Sequence, residues 1–224
     1  MISCKMGAEG VFNMNQRFFF DFDSTLMLTD HLAIRWMNKR FGVNIPEDTL
    51  FDSNRFEDVL NAALPPKRRI SKDEFWKIYV NEFLPSHEWN SEVVPMKGAQ
   101  KIVRELSRIG ENWVVTARCS VGLPVLRGLC DRFFSTDIKG IHCVWKKLEN
   151  GEIVLDQSKR DFIIEMMTPC SFFVDDNPKE VERVHKTIPT YLFDPRGVHK
   201  HRREFNRISC LSEIKVDWPP VGHA

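Results

Sequence analysis

Four polar clusters in the chain hold residue types that could do chemistry together. Asp21 and Asp23 stand two apart in DFDST, which continues through Ser24 and Thr25. Thr116 opens TARCS, with Arg118 two positions on. Lys159 follows Ser158, and Asp175-Asp176 begin DDNP. Carboxylates can attack an electrophile, move a proton or ligate a hard cation. A lysine and a threonine can neutralise and hydrogen-bond an anion. The plainer alternatives are a turn or N-cap for each aspartate and a strand-end hydroxyl for Thr116. Lys159 also has rivals in Lys146 and Lys147, and Arg118 reads equally as a substrate contact or a surface arginine.

The elements around these clusters favour the chemical reading. Residues 17–22 hold four phenylalanines and end in the first acidic pair, a short apolar run that suits a strand buried on both faces. Residues 113–116 (WVVT) and 172–174 (FFV) read the same way, with further strands near 141–145 and 191–193. Helices fall at 30–41, 53–64, from the Ser71–Glu74 capping box onward, along the apolar stripe from Ala99 to Ile109, and around 121–131, 158–167 and 178–186. Asn150-Gly151 signals a hairpin. Strands alternating with helices predict an α/β fold, a doubly wound parallel sheet, interrupted early by a helical block. In such sheets ligands bind outside the carboxyl ends of the strands, where these clusters fall.

The DFDST stretch resembles the first signature of the haloacid dehalogenase-like superfamily of aspartate-based phosphatases. Thr116, Lys159 and Asp175-Asp176 are similar to its second, third and fourth signatures. The resemblance spans about residues 17–194. It implies a Rossmann-like core at 1–26 and 94–224 and a small helical cap at 27–93 that closes over the active site. It implies Asp21 as nucleophile, Asp23 as general acid and base, Thr116 and Lys159 as phosphate contacts, and Mg²⁺ held by Asp21, the Asp23 backbone carbonyl and Asp175. Asp176 would be a direct or water-bridged partner of the ion, with Ser24 and Arg118 as further substrate contacts. Ser24 departs from the glycine usual in deoxynucleotidase-type members, and Thr-Ala-Arg departs from the Ser-Gly usual in phosphoserine phosphatases, so the substrate stays open.

Charge arithmetic supports a cation independently. Two like charges about 4 Å apart repel by about 4 kcal/mol at an effective dielectric near 20. Asp21, Asp175, Asp176 and a phosphate dianion in one pocket therefore need an offset, and Mg²⁺ is a hard ion that bridges carboxylate and phosphate oxygens. The expected activity is Mg²⁺-dependent hydrolysis of a small phosphorylated substrate such as a nucleotide or another metabolite. A phosphoprotein, phosphotyrosine included, is the runner-up. A non-catalytic phospho-receiver or binding homologue is the rival of another class, but receivers carry their acidic pair early and tolerate no insert after the first strand.

Whole-chain properties set bounds. The 224 residues are 42% hydrophobic and 28% charged, an ordinary globular composition. Lys+Arg 32 against Asp+Glu 31 leaves a net charge of +1, so no global field attracts nucleic acid. No apolar run suits a membrane span or a secretory signal, which predicts a cytoplasmic protein. The six cysteines form no CxxC and read as reduced thiols, and none has an arginine six residues later, against a thiol phosphatase. Two basic stretches have open roles. Lys67-Arg68-Arg69 reads as a solvated loop or a contact for a second substrate anion. The run from Arg196 to Arg207 reads as a solvated helix face or a contact for an anionic surface. Trp36, Trp76 and Trp89 read as cap core rather than as stacking platforms.

Overall fold

A computed structural model describes residues 16–49 and 55–214. Its centre is a seven-stranded sheet in the order β6-β5-β4-β1-β7-β8-β9. The strands are β1 (Gln16–Phe20), β4 (Gly110–Cys119), β5 (Ile138–Lys147), β6 (Ile153–Leu155), β7 (Phe172–Asp175), β8 (Thr190–Phe193) and β9 (Asn206–Ile208). All neighbours pair in parallel except β5 and β6, the hairpin turned at Asn150-Gly151. β1 lies at the middle, between β4 and β7.

The phenylalanine run explains that position. Phe18 and Phe20 enter the core cluster on one face, and Phe19 enters the cluster on the other. A strand whose alternate side chains are all apolar is stable only when both faces are covered. Helices α5 (Ala99–Ser107) and α6 (Leu123–Phe134) cover the first face, and α7 (Lys159–Met166) and α8 (Pro178–Val184) cover the second. Gly110 lets β4 reach β1, since a Cβ there would stand 2.4 Å from the Gln16 carbonyl oxygen.

A helical block lies between β1 and α5. The chain leaves through β2 (Met27–Leu28) and returns through β3 (Val94–Pro95), and these two short strands pair antiparallel. Between them run α1 (Asp30–Phe41), α2 (Phe56–Ala63), α3 (Lys72–Ile78), a single π-helical turn at Tyr79–Phe83, and α4 (His87–Asn90). Gly42 ends α1 in the left-handed region at φ 65°, and the Ser71 hydroxyl caps α3 by accepting from Glu74 N, as the capping box predicts. Trp36 is buried among Phe75, Tyr79 and Phe83, with ring centroids 5.5–6.3 Å away, so its core reading stands.

Several elements differ from expectation. The first strand stops at Phe20, so Asp21 is the first residue beyond it. β4 runs on to Cys119, with an irregular register between Thr116 and Cys119, so Thr116 lies within the strand. Lys146 and Lys147 belong to β5 and pair with β6. Residues 196–205 form turns and a loop and 206–208 form β9, so the run from Arg196 to Arg207 is no helix face. The start of the helix read at 53–64 lies outside the described residues, and α2 begins at Phe56. Cys119, Cys130, Cys143 and Cys210 are free, but Cys170 is disulfide-bonded, against the expectation of reduced thiols. No helix among the described residues is long and apolar enough to cross a membrane.

Candidate active site

The loops after β1 and β7 meet over the carboxyl end of the sheet. Asp21 N donates to Val174 O at 2.8 Å, extending the β1–β7 ladder by one bond and fixing where the Asp21 side chain starts. The chain then coils: Met27 N donates to Phe22 O, and Ser24 N donates to Met27 O. Thr25 ties this coil to the loop after β7, its hydroxyl accepting from Asp176 N at 3.1 Å. Asp175 Oδ1 accepts from Asn177 N at 2.8 Å, and the Asn177 side chain caps α8 ahead of Pro178.

Lys159 spans the two loops. Its Nζ donates to Asp21 Oδ1 at 2.6 Å and to Asp175 Oδ2 at 2.7 Å. The Ser158 cap on α7 fixes the first turn from which it projects. Lys147, by contrast, reaches Asn81 on the exposed surface, so Lys159 is the lysine brought to the aspartates. The Lys159 ammonium is buried, yet Asp175 and Asp21 hold its pKa above the usual lysine value. Burial pushes the Asp21 carboxyl up to about 8; Lys159 opposes that shift, while Asp175 and Asp23 add to it. One ammonium does not offset the crowded carboxylates.

The donor set fits a divalent cation. One carboxylate oxygen each from Asp21, Asp175 and Asp176 lie within 4.8 Å of one another. All are hard anionic oxygens, the ligand type that divalent alkaline-earth ions prefer over soft transition metals.

Asp23 sits differently. Its two oxygens accept from Arg118 at 2.8 Å (Nε) and 2.7 Å (Nη2). Arg118 is 1% exposed and lies over the Phe22 ring. Its Nη1 and Nη2 also donate to Asn90 Oδ1, each at 3.2 Å. The guanidinium therefore stands buried behind Asp23, neither on the surface nor lining the cavity, the two places open to it in the sequence. Ser24 lines the cavity, but its hydroxyl donates to Asp30, whose other oxygen accepts from Arg196. Thr116 is buried, lines the cavity and accepts from Arg118 N at 3.2 Å, which leaves its own proton available to an incoming oxygen.

The cavity holds about 100 Å³. The core supplies Asp21, Asp23, Thr116, Lys159, Asp175 and Asp176, and the helical block supplies Phe56, Trp76, Tyr79 and Leu84. Sequence reading missed three contributions. The Asn90 clamp carries no motif. The Thr25 tie was present in DFDST but was given no role. Trp76 was read as cap core rather than as a stacking platform, and it lines the cavity.

No family model and no curated protein sequence matches this chain. Solved structures do match it, at low identity and over nearly the whole chain. An aspartyl-phosphate-intermediate analogue of a phosphoserine phosphatase superposes with a TM-score of 0.56 at 14% identity, over 90% of this chain and 98% of that one. A haloacid dehalogenase-like hydrolase from Streptococcus pneumoniae gives 0.54 at 16%, over 86% and 92%. A haloacid dehalogenase-superfamily hydrolase from Bacillus subtilis, bound to magnesium, gives 0.53 at 15%, over 90% and 97%. The protein thus has the haloacid dehalogenase-like fold, an α/β core with an inserted helical block.

Proposed function

We propose that the protein is a Mg²⁺-dependent phosphomonoesterase acting on a small phosphorylated molecule, with the 27–93 block as its cap. The observation that supports this reading most is the buried Asp21 carboxylate at the end of the central strand, facing the cavity, touched by Lys159 and close to Asp175 and Asp176. The fold likeness to phosphatases and hydrolases agrees with it.

In this mechanism an Asp21 oxygen attacks phosphorus. A new oxygen–phosphorus bond forms while the bond to the leaving oxygen breaks, and Asp23 gives that oxygen its proton. Water then attacks the phosphorus, Asp23 takes back a proton, and inorganic phosphate leaves with the Asp21 carboxylate restored. Thr116 donates to a phosphoryl oxygen through its free hydroxyl proton. Lys159 orients Asp21 and offsets charge beside it. Asp21, Asp175 and the Asp23 backbone carbonyl would hold Mg²⁺, with Asp176 beside them. The ion supplies positive charge that offsets the phosphoryl and carboxylate oxygens.

Because both Asp23 oxygens rest on Arg118, Asp23 must turn partly away from the guanidinium to reach a leaving oxygen. The direct test is phosphate release from a panel of monoesters with Mg²⁺. The expected result is turnover that falls to background in Asp21→Asn and in EDTA, and that returns when Mg²⁺ is added back. Unchanged rates in EDTA would rule out the metal.

A further inference from the structure

The charged and aromatic walls of the cavity bear on what leaves with the phosphate. Its charged side chains are Asp21, Asp23, Asp30, Asp175 and Asp176 against one ammonium, Lys159, which already bridges two of those aspartates. No other basic residue lines it among the described residues. Arg118 stands behind Asp23. Lys67, Arg68 and Arg69 lie on the exposed turn after α2, where Arg68 donates to Phe41 O. In the adjoining recess Arg196 is paired with Asp30, and Asp194 adds another carboxylate. A second anion on the substrate would thus meet carboxylates, and every lysine and arginine near them among the described residues already serves a carboxylate, so like charges near 4 Å would repel with no free cation to receive the anion.

The lining from the helical block is apolar and aromatic. Phe56 and Tyr79 stack at 5.5 Å with 28° between their planes, and Trp76 stands edge-on to Tyr79 at 5.3 Å. Leu84 completes that side. The volume of about 100 Å³ is well below the roughly 300–1,000 Å³ of pockets for drug-sized ligands, which suits a single ring better than a nucleotide. Aromatic rings pack against such walls edge-to-face or offset, with a gain beyond simple area burial.

Building on the phosphatase reading, we propose that the site selects small phosphate monoesters whose leaving group is uncharged and carries an aromatic ring. Leaving groups bearing a second anion are discriminated against. The Trp76, Tyr79 and Phe56 wall receives the ring while Asp21 faces the phosphorus.

Benzyl phosphate and ethyl phosphate make the test clean, because both leave as alcohols. With Mg²⁺ and the full chain, kcat/KM for benzyl phosphate is expected to exceed that for ethyl phosphate and for phosphoserine at least tenfold. Trp76→Leu should cut the benzyl-to-ethyl ratio about tenfold, and Trp76→Phe should largely retain it. A ratio measured within one preparation does not depend on how much of a variant folds. A wild-type ratio near one, or phosphoserine as the better substrate, would overturn the proposal and leave the phosphatase reading standing. Faster turnover of a phosphotyrosyl peptide than of phenyl phosphate, which also leaves as a phenol, would place the ring on a protein and overturn the small-molecule claim. If no ester releases phosphate, the phosphatase reading falls. Binding of benzylphosphonate against ethylphosphonate then decides the ring preference alone: tighter benzylphosphonate binding supports it and equal binding overturns it.

Discussion

At the scale of single residues, the division of labour proposed for Asp21 and Asp23 matches two different settings. Asp21 is bridged by an ammonium and buried; Asp23 is held by a guanidinium at the cavity edge. Asp23→Asn should therefore slow alkyl esters, which need a proton on the leaving oxygen, far more than nitrophenyl esters, which do not. Equal losses on both, measured as kcat, would remove its acid role. The burial of Asp21 also has a thermodynamic sign. Its folded-state pKa stands at about 8, above the ordinary value of 3.8, so the metal-free folded chain binds that proton more tightly than the unfolded chain does. Stability from this group is complete below pH 4 and is lost as pH rises through 8. Asp30 and Glu180 are raised by burial in the same direction, while the exposed Glu204 and Glu213 are lowered. Comparison with Asp21→Asn isolates the one contribution. In EDTA, Tm of the wild type should fall from pH 5 to pH 8 more steeply than Tm of the variant, and the variant should be the more stable at pH 8. DFDST and DDNP made these residues legible, not singly but because four polar clusters follow strands and helices in the order of the family's signatures. The Arg118 partnership was not legible, since pairing Asp23 with a residue 95 positions away depends on strand order.

At the scale of elements, the connection between the helical block and the core rests on Asn90. It is buried at the end of α4, and its amide donates to the carbonyls of Phe83, Leu84 and Ser86 while its oxygen accepts from Arg118. Removing it takes one partner each from three carbonyls and from a buried guanidinium, all of which keep others, and a hydrogen bond to a charged group contributes about 1.5–3 kcal/mol. Asn90→Ala should lower unfolding stability by about 2–3 kcal/mol in urea melts and reduce kcat through Asp23. Full stability would deny the clamp. Ser24 carries a second elemental feature, a left-handed backbone at φ 58° that favours glycine, offset by its hydroxyl bond to Asp30. The elements themselves were read well where caps and apolar periods were strong, as in α1, α3 and α7. They were misread at 196–207, where a dense basic composition suggested a helix. The structure spends two of those arginines on buried or half-buried aspartates, Arg196 on Asp30 and Arg207 on Asp194.

At the scale of the whole molecule, a seven-stranded sheet brings four distant stretches to one edge. The strand order β4-β1-β7 puts DFDST between the Thr116 strand and the strand that ends at Asp175. Alternation of strands and helices predicted the doubly wound parallel sheet, but neither its strand order nor β9. The helical block was legible as an insert, but its aromatic wall over the cavity was not, because which face of Trp76 is covered depends on tertiary packing. If the acidic cluster holds Mg²⁺, the ion binds the folded chain and stabilises it by mass action. Tm at pH 8 should rise with millimolar Mg²⁺, and Asp175→Ala should abolish the rise. The central claim, that Asp21 becomes esterified, has one direct measurement: a crystal structure with Mg²⁺ and beryllium fluoride, a mimic of the phosphoryl group. The account predicts beryllium bonded to an Asp21 oxygen, with fluorides near Thr116. Beryllium fluoride bound elsewhere, or Asp21 left untouched at saturating concentration, would contradict it.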